Sequence, residues 1–441
     1  MGHNGASHVT REPIETDVTI ETDVTDVTDV TIIGAGPIGL ELAVALRRRG
    51  ADFRILDAGP IGQTMSWWAP HTRWFSSNER IAIAGVPLET PDQSKATREQ
   101  YLAYLRSIAK QFRIDVRTYE KAVAIRPGHE GGFRIETESQ GGRRCLPSRK
   151  VVLAIGGTDR PRELGIEGEG LPHVDGYLRE PHRYFGRRVL VVGGRNSAVE
   201  AALRLHHAGA RVAISYRRAQ LPGESIKYWL RPEIEGLIAS GRIKAQLGTV
   251  PVRITPTEVW LRRVDGDGPP ASDQRPVGDV DDGDRAQRER TEDTRPDGSG
   301  EIVRVPADDV LKLVGYVQDK SLFRQAGIEL VGPESAPRHA PETMESNVPG
   351  LYVAGTAVAG TQSSRYQTFL ENCHVHVDRI VAHLGLEDRC RDGDCRDGDW
   401  RDGDWRDGHP GQTRAAGEPR VDPADEAAGA LRAEIRAMPE S

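Results

Sequence analysis

Residues 31–50 read "TIIGAGPIGLELAVALRRRG", and the spacing of Gly34, Gly36 and Gly39 suits one piece of chemistry, the holding of a dinucleotide pyrophosphate. In a G-x-G-x-x-G turn the first glycine makes the tight bend and the second lets the backbone approach the phosphates. The third lets a helix pack on the strand, with its N-terminal N–H groups facing the anion. A carboxylate follows at Asp57, at the end of "FRILDAG" (53–59), where it can bond a ribose hydroxyl. An ordinary glycine turn is the plain alternative, and Asp57 weighs against it. The plan recurs in "RRVLVVGGRNSAVEAALRLHHAGARVAISYRR" (187–218), where Gly193, Arg195 and Ala198 hold the three fingerprint positions and Asn196 and Ser197 open the helix. With the middle glycine replaced, either Arg195 points away from the pyrophosphate or the loop approaches it less closely. The second strand here ends in Arg217 and Arg218 instead of an acid. Guanidinium groups at that place pair with the 2′-phosphate of NADPH, which a carboxylate would repel. The alternative is a solvated strand end.

Two such units require an α/β frame with two Rossmann-like domains, one holding FAD and one taking a nicotinamide that docks, delivers hydride and leaves. The first domain is expected to be discontinuous and the second inserted into it. On this reading residues 1–28 form a loose extension, 29–158 the first part of the FAD domain and 159–309 the NADPH domain. Residues 310–386 form the second part of the FAD domain, and 387–441 a low-complexity tail. "VVLAIGG" (151–157) returns a strand to the first unit and "VLKLVGYVQD" (310–319) is the matching return after the second. "NVPGLYVAGTAVAG" (347–360) reads as a strand, a glycine turn and a helix start, with Gly355 and Thr356 as candidates to support the flavin. The polar run 264–301 separates "EVWLRRV" from "EIVRVPA" as an overlong hairpin connection.

Bulk properties narrow the partners. A net charge of −7 without a long basic run argues against nucleic acid or an anionic membrane surface, and no segment has the apolar length of a membrane span. The first residues lack a signal-peptide core, so a cytoplasmic enzyme is the default. Cys145, Cys373, Cys390 and Cys395 show neither C-x-x-C nor metal-ligand spacing, so no metal site is indicated. His374 and His376, two apart on a helix, do not share a face and make a poor metal pair. "DVT" recurs between 17 and 31, and "RDGDC" and "RDGDW" recur between 391 and 405. The latter unit fits neither of the usual calcium-binding repeats and reads as a solvated tail. Trp67, Trp68 and Trp74 suit either a cover over a flavin or substrate pocket or plain core packing.

Five segments together carry a resemblance: "EPHRYFGRRVLVVGGRNSAVEAAL", "IKYWLRPEIE", "VLKLVGYVQD", "TFLENCHVHVDRIVAHLGL" and "WFSSNERIAIAGVPLETPDQSKATREQYLAYLRSIA". Over residues 29–386 or so the chain resembles the YpdA family, thioredoxin-reductase-like flavoproteins regarded as bacillithiol-disulfide reductases. The resemblance implies FAD, NADPH and a small-molecule or small-protein electron acceptor such as a low-molecular-weight disulfide. It leaves a homo-oligomer open. It also places Lys227 and Trp229 in the family pattern. The family's proposed active-site cysteine matches Ile38, and isoleucine cannot be a thiolate nucleophile. Cys373, beside the flavin-supporting segment, is the remaining thiol candidate, against the reading of a small buried apolar residue. An NADPH-dependent FAD oxidoreductase of the disulfide-reductase type is thus the leading expectation. A flavin monooxygenase lacks its F-x-G-x-x-x-H linker here, and a non-catalytic redox or nucleotide sensor is the third reading.

Overall fold

The computed structural model describes residues 21–22, 27–128, 131–264, 300–361 and 368–386. The RDGDC and RDGDW repeats, the first DVT copy and the interior of the polar run lie outside these residues, while the last DVT copy, Asp29–Thr31, falls in the first strand. In the first unit β1 (Thr28–Ile33) runs through the glycine turn into α1 (Pro37–Arg48), and β2 (Phe53–Leu56), α2 (Arg98–Gln111) and β3 (Val116–Arg117) follow. An antiparallel meander comes next, made of β4 (Lys121–Pro127), β5 (Phe133–Ser139) and the long β6 (Gly142–Leu153). Only the last residues of β6 pair parallel with β1, so one strand serves both the meander and the central sheet.

The second unit repeats this plan. After β7 (Val174–Asp175) come β8 (Arg188–Val192), α3 (Asn196–His207), β9 (Arg211–Tyr216), α4 (Arg231–Ala239) and β10 (Lys244–Leu247). A second meander follows, formed by β11 (Thr249–Ile254), β12 (Glu258–Arg263) and β13 (Ile302–Pro306), and then β14 (Asp309–Lys312). The antiparallel pairing of β12 with β13 makes the expected hairpin around the polar run. The parallel order is β10-β9-β8-β14-β7. It mirrors β3-β2-β1-β6 of the first sheet, which closes with β15 (Leu351–Val353).

Both sheets are apolar on both faces, as parallel strands covered on each side must be. Along β1, Val30 and Ile32 face the helices together with Leu42, Leu105 and Ile380, while Ile33 faces the meander with Ile125 and Leu146. Along β8, Val189 and Val191 meet α3, and Leu190 and Val192 meet Ile254, Val259 and Val305. α5 (His374–His383) adds Val377 and Ile380 to the first core.

Three expectations are corrected. β14 pairs with β8, so the second unit extends through Lys312 and does not end at 309, because Val310 and Leu311 complete its sheet. Glu21–Thr22 pairs parallel with Arg144–Cys145, so the N-terminal extension is not wholly loose. The turn after β15 opens a short 3-10 segment, Gly355–Ala359, and α5 begins only at His374. The chain crosses between the units twice, and Arg160–Pro161 and Tyr316–Val317 pair antiparallel there as a ribbon. Among the described residues no helix is long and apolar enough to cross a membrane.

Candidate functional site

The three glycines of the first loop meet three different demands. A Cβ on Gly34, whose φ is +110°, would lie 2.4 Å from the Ala154 carbonyl oxygen, and one on Gly39 would lie 1.9 Å from that of Gly34. These two positions are glycine because the loop, the helix and the end of β6 pack on one another. Gly36 differs: a Cβ there meets nothing within 4 Å, and its φ of −75° suits any residue. Packing does not require glycine at 36, and the space it leaves opens into a cleft at the uncapped N-terminus of α1. Asp57 takes N–H bonds from Ala35 (2.7 Å) and Gly59 (2.8 Å), and its carboxyl also lines the cleft. Burial pushes its pKa up, against the two backbone donors that hold it down.

The second loop copies the first with side chains substituted. Gly193, at φ +138°, approaches the Leu313 carbonyl as Gly34 approaches that of Ala154, and Ala198 packs beneath it. Arg195 takes the place of Gly36 in the same extended conformation and is exposed. Arg217 is half-buried. Its pKa is lowered by desolvation and by the nearby charges of Arg218, Arg195 and Arg162. Four guanidinium groups from three separate segments thus gather at the end of β9. Arg162 carried no sequence signal, since it comes from the crossover.

One cleft of about 1100 Å³ runs between the units. Gly34, Gly36, Ile38, Gly355 and Thr356 line one end, and Asn196, Ser197 and Lys227 line the other. Gly39, Gly193 and Ala198 sit in the packing behind it, and Arg217 and Arg218 lie off its wall. The Asn196 side chain is already engaged, accepting the Lys227 backbone N–H at 2.7 Å. Lys227 Nζ lies 3.2 Å from Glu200. Trp68 meets Trp74 edge-on, and Trp74 packs at a tilt on Tyr101 in the first core, while Trp67 packs on Tyr177, 5.7 Å between centroids. Trp68 and Trp74 pack against the core and also line the cleft, and Trp67 lines the cleft.

Contacts that sequence reasoning did not anticipate hold the units together over this cleft. Arg204 on α3 donates to Thr72 Oγ1 at 2.9 Å and to the Pro70 carbonyl. Phe75 stacks on Trp229 at 5.6 Å. These pairs join residues more than 130 positions apart and leave no periodic trace.

The surroundings of Cys373 suit a buried apolar residue better than a thiolate nucleophile. It is fully buried, and its thiol donates to the Phe369 carbonyl at 3.0 Å. Burial, with Glu371 and Glu41 adding to it, pushes the pKa up to about 12. A nucleophilic thiol needs the opposite environment, exposed and electropositive. Cys145 is buried on β6 beside Arg134, and Cys390 and Cys395 lie outside the described residues.

The two α5 histidines diverge, as their spacing implies. His374 Nδ1 lies 2.7 Å from Glu41, and His376 Nδ1 accepts the Gly355 N–H at 3.1 Å. His376 thereby holds the loop where Gly355 takes φ +71° and packs on Ile38. Burial pushes the His376 pKa down to about 4, so the ring is neutral in the fold while the unfolded chain titrates at 6.5. Stability should therefore fall as pH drops from about 6.5 to about 4 and then level, by about 3 kcal/mol over that window. Acid unfolding of His376→Gln, compared with the native chain, should lack this slope.

Residues 31–267 match the pyridine nucleotide-disulphide oxidoreductase family. The bacilliredoxin reductase Bdr of Bacillus subtilis (strain 168) is 31% identical over 353 residues, 80% of this chain and 96% of its own. The solved structure of the bacillithiol disulfide reductase Bdr (YpdA) from Bacillus cereus aligns with a TM-score of 0.69 at 29% identity, covering 81% of this chain and 99% of its own. Thioredoxin reductase of T. acidophilum aligns with a TM-score of 0.57 at 18% identity over 81% and 98% of the two chains, a likeness of fold.

Proposed function

Since this chain belongs to the pyridine nucleotide-disulphide oxidoreductase family, with the Bdr (YpdA) reductases among its relatives, it is a flavin- and NAD(P)H-dependent oxidoreductase, and we propose the following division of labour. Gly34, Gly36 and Gly39 seat the FAD pyrophosphate at the α1 N-terminus, Asp57 takes a ribose hydroxyl, and Gly355 and Thr356 support the flavin end. The opening at Gly36, which packing does not demand, supports this assignment. Gly193, Ser197 and Ala198 shape the NADPH loop. Arg217 and Arg218, with Arg195 beside them, take the 2′-phosphate. Asn196 holds the neighbouring Lys227 segment. FAD, when bound, takes a hydride from the nicotinamide and passes two electrons to an acceptor.

The observation that carries this reading is a cleft lined by residues of both dinucleotide loops, so that a nicotinamide and a flavin held there share one space. Trp67, Trp68 and Tyr177 exclude water from it on one side. The acceptor is a low-molecular-weight disulfide or a small redox protein, and it is reduced without an enzyme thiol, because Ile38 stands at the loop position and Cys373 is buried behind it.

Two measurements test this. Anaerobic mixing with NADPH should bleach the flavin, and a disulfide acceptor should restore its colour. Slow recovery with oxygen alone would favour a monooxygenase. Native alkylation and Cys373→Ser should leave both half-reactions within about twofold of the untreated chain, since a thiol with so high a pKa does not react. Loss of disulfide turnover on either treatment would restore Cys373 as the nucleophile.

A further inference from the structure

The two crossovers that join the units meet as the short ribbon of Arg160–Pro161 with Tyr316–Val317. Gln318, next after it, ties the ribbon to the first unit, donating from Nε2 to the carbonyls of Gly156 (2.9 Å) and Ala357 (3.0 Å). Units linked in this way rotate against one another unless further contacts hold them. Arg204 supplies such a contact. Its Nη1 donates to Thr72 Oγ1 at 2.9 Å and its Nη2 to the Pro70 carbonyl. Thr72 is itself held by the first unit, since its carbonyl accepts the backbone N–H of Arg98, the first residue of α2, at 2.8 Å. The Arg98 guanidinium also donates to the Trp68 carbonyl, and the Trp74 N–H to that of Ala96 at 3.0 Å. Residues 68–74 are thus fastened to the first unit, and Arg204 grips them from the second.

The place of Arg204 on its helix gives this grip a consequence. Asn196, Ser197, Glu200, Ala201 and Arg204 line the cleft from one face of α3, and the first two open that helix at the second dinucleotide loop. Eight residues separate Arg204 from Asn196, about 12 Å of helix at 1.5 Å per residue. Loop and guanidinium are two points on one rod, so holding one directs the other. Trp67 on Tyr177 and Phe75 on Trp229 also cross between the units, but these are ring contacts. Rings tolerate sliding, whereas a hydrogen bond weakens steeply off its axis, and those made by a cation are the stronger kind.

We propose that Arg204 is a positioning residue for hydride transfer, holding α3 and its nicotinamide loop in the orientation from which a nicotinamide in the cleft reaches the flavin. This rests on the assignment of both nucleotides to the cleft and deepens it. In the step concerned a hydride, with its two electrons, passes from NADPH to FAD, and no proton or third reactant enters. Reacting atoms must stand about 3 to 3.5 Å apart, and a misplacement of about 1 Å costs about a hundredfold in rate.

The test compares the native chain with Arg204→Leu in two ways. The first needs no turnover. Spin labels on Lys110→Cys of α2 and Lys244→Cys of β10, both exposed positions, report the distance between the units in the full chain carrying Cys390→Ser and Cys395→Ser, with and without FAD. Arg204→Leu should broaden or shift that distance distribution, and an unchanged distribution would overturn the proposal. The second is anaerobic flavin reduction followed through a single turnover. Its limiting rate at saturating NADPH should fall about tenfold to a hundredfold, while the NADPH concentration giving half that rate changes by less than about threefold. A loss carried by affinity with the limiting rate intact would make Arg204 a binding residue and overturn the positioning role. Arg204→Lys, able to bond one of the two acceptors, should fall between the native chain and Arg204→Leu in both measurements. If Arg204→Leu fails to fold, Thr72→Val removes one acceptor and leaves the other. It should broaden the distribution and slow the limiting rate by about threefold or more, and no change in either would overturn the proposal. Failure of the native chain to bind FAD would sink the cofactor assignment, a separate outcome in which the label distances still show whether Arg204 sets the orientation.

Discussion

Gly36→Leu is expected to give a folded, colourless protein. A Cβ at this position meets nothing within 4 Å and the backbone there is extended, so the substitution neither clashes nor strains. Its side chain would instead fill the space through which the pyrophosphate reaches the N–H groups of α1. On the proposed assignment the pyrophosphate is held by backbone approach, so blocking it should weaken FAD by at least about a hundredfold, about 3 kcal/mol. The absorbance ratio of purified protein and the melting temperature of the apoprotein report the two effects separately. Gly39→Ala is the contrast, because its Cβ would lie 1.9 Å from the Gly34 oxygen and must disturb the fold itself. Stoichiometric FAD in Gly36→Leu would refute the pyrophosphate assignment.

The second large effect concerns the choice of nicotinamide. Arg218, Arg195 and Arg162 lie near Arg217, and desolvation together with their like charge lowers the Arg217 pKa. An anion resolves that repulsion, and the 2′-phosphate of NADPH is the one the second unit would bring there. Each charge-assisted bond contributes about 1.5 to 3 kcal/mol, so Arg217→Ala with Arg218→Ala should cut the preference for NADPH over NADH by at least about a hundredfold. The NADH rate should hardly change. Flavin reduction rates at subsaturating nucleotide, measured at two ionic strengths, check this, since the native preference should fall with salt and the variant's should not. An unchanged ratio in the double variant would assign the phosphate elsewhere.

Local order made much of this legible in the chain itself. Strand, glycine turn and helix are contiguous, so Gly34, Gly36, Gly39 and Asp57 announced their unit, and Gly193 with Arg217 announced the second. The mostly apolar run Val30–Ile33 and the apolar run Val189–Val192 likewise marked two strands, because a parallel strand covered on both faces is nearly continuously apolar. The loop position of Ile38 was enough to question an enzyme thiol. The tertiary structure decided what depends on long-range contact. Strand β14 ends the second unit because its partner β8 lies more than a hundred residues earlier. Cys373 is buried and its pKa is raised by that burial, a matter of desolvation that spacing does not encode. Gln318, His376 and Arg204 took on their contacts only when the crossovers brought distant loops within hydrogen-bond range, and a single polar residue in a sequence carries no periodicity to reveal such a partner. Gly36 stands between the two cases: the motif marked it as glycine, and only the packing around it showed that the fold does not need it there.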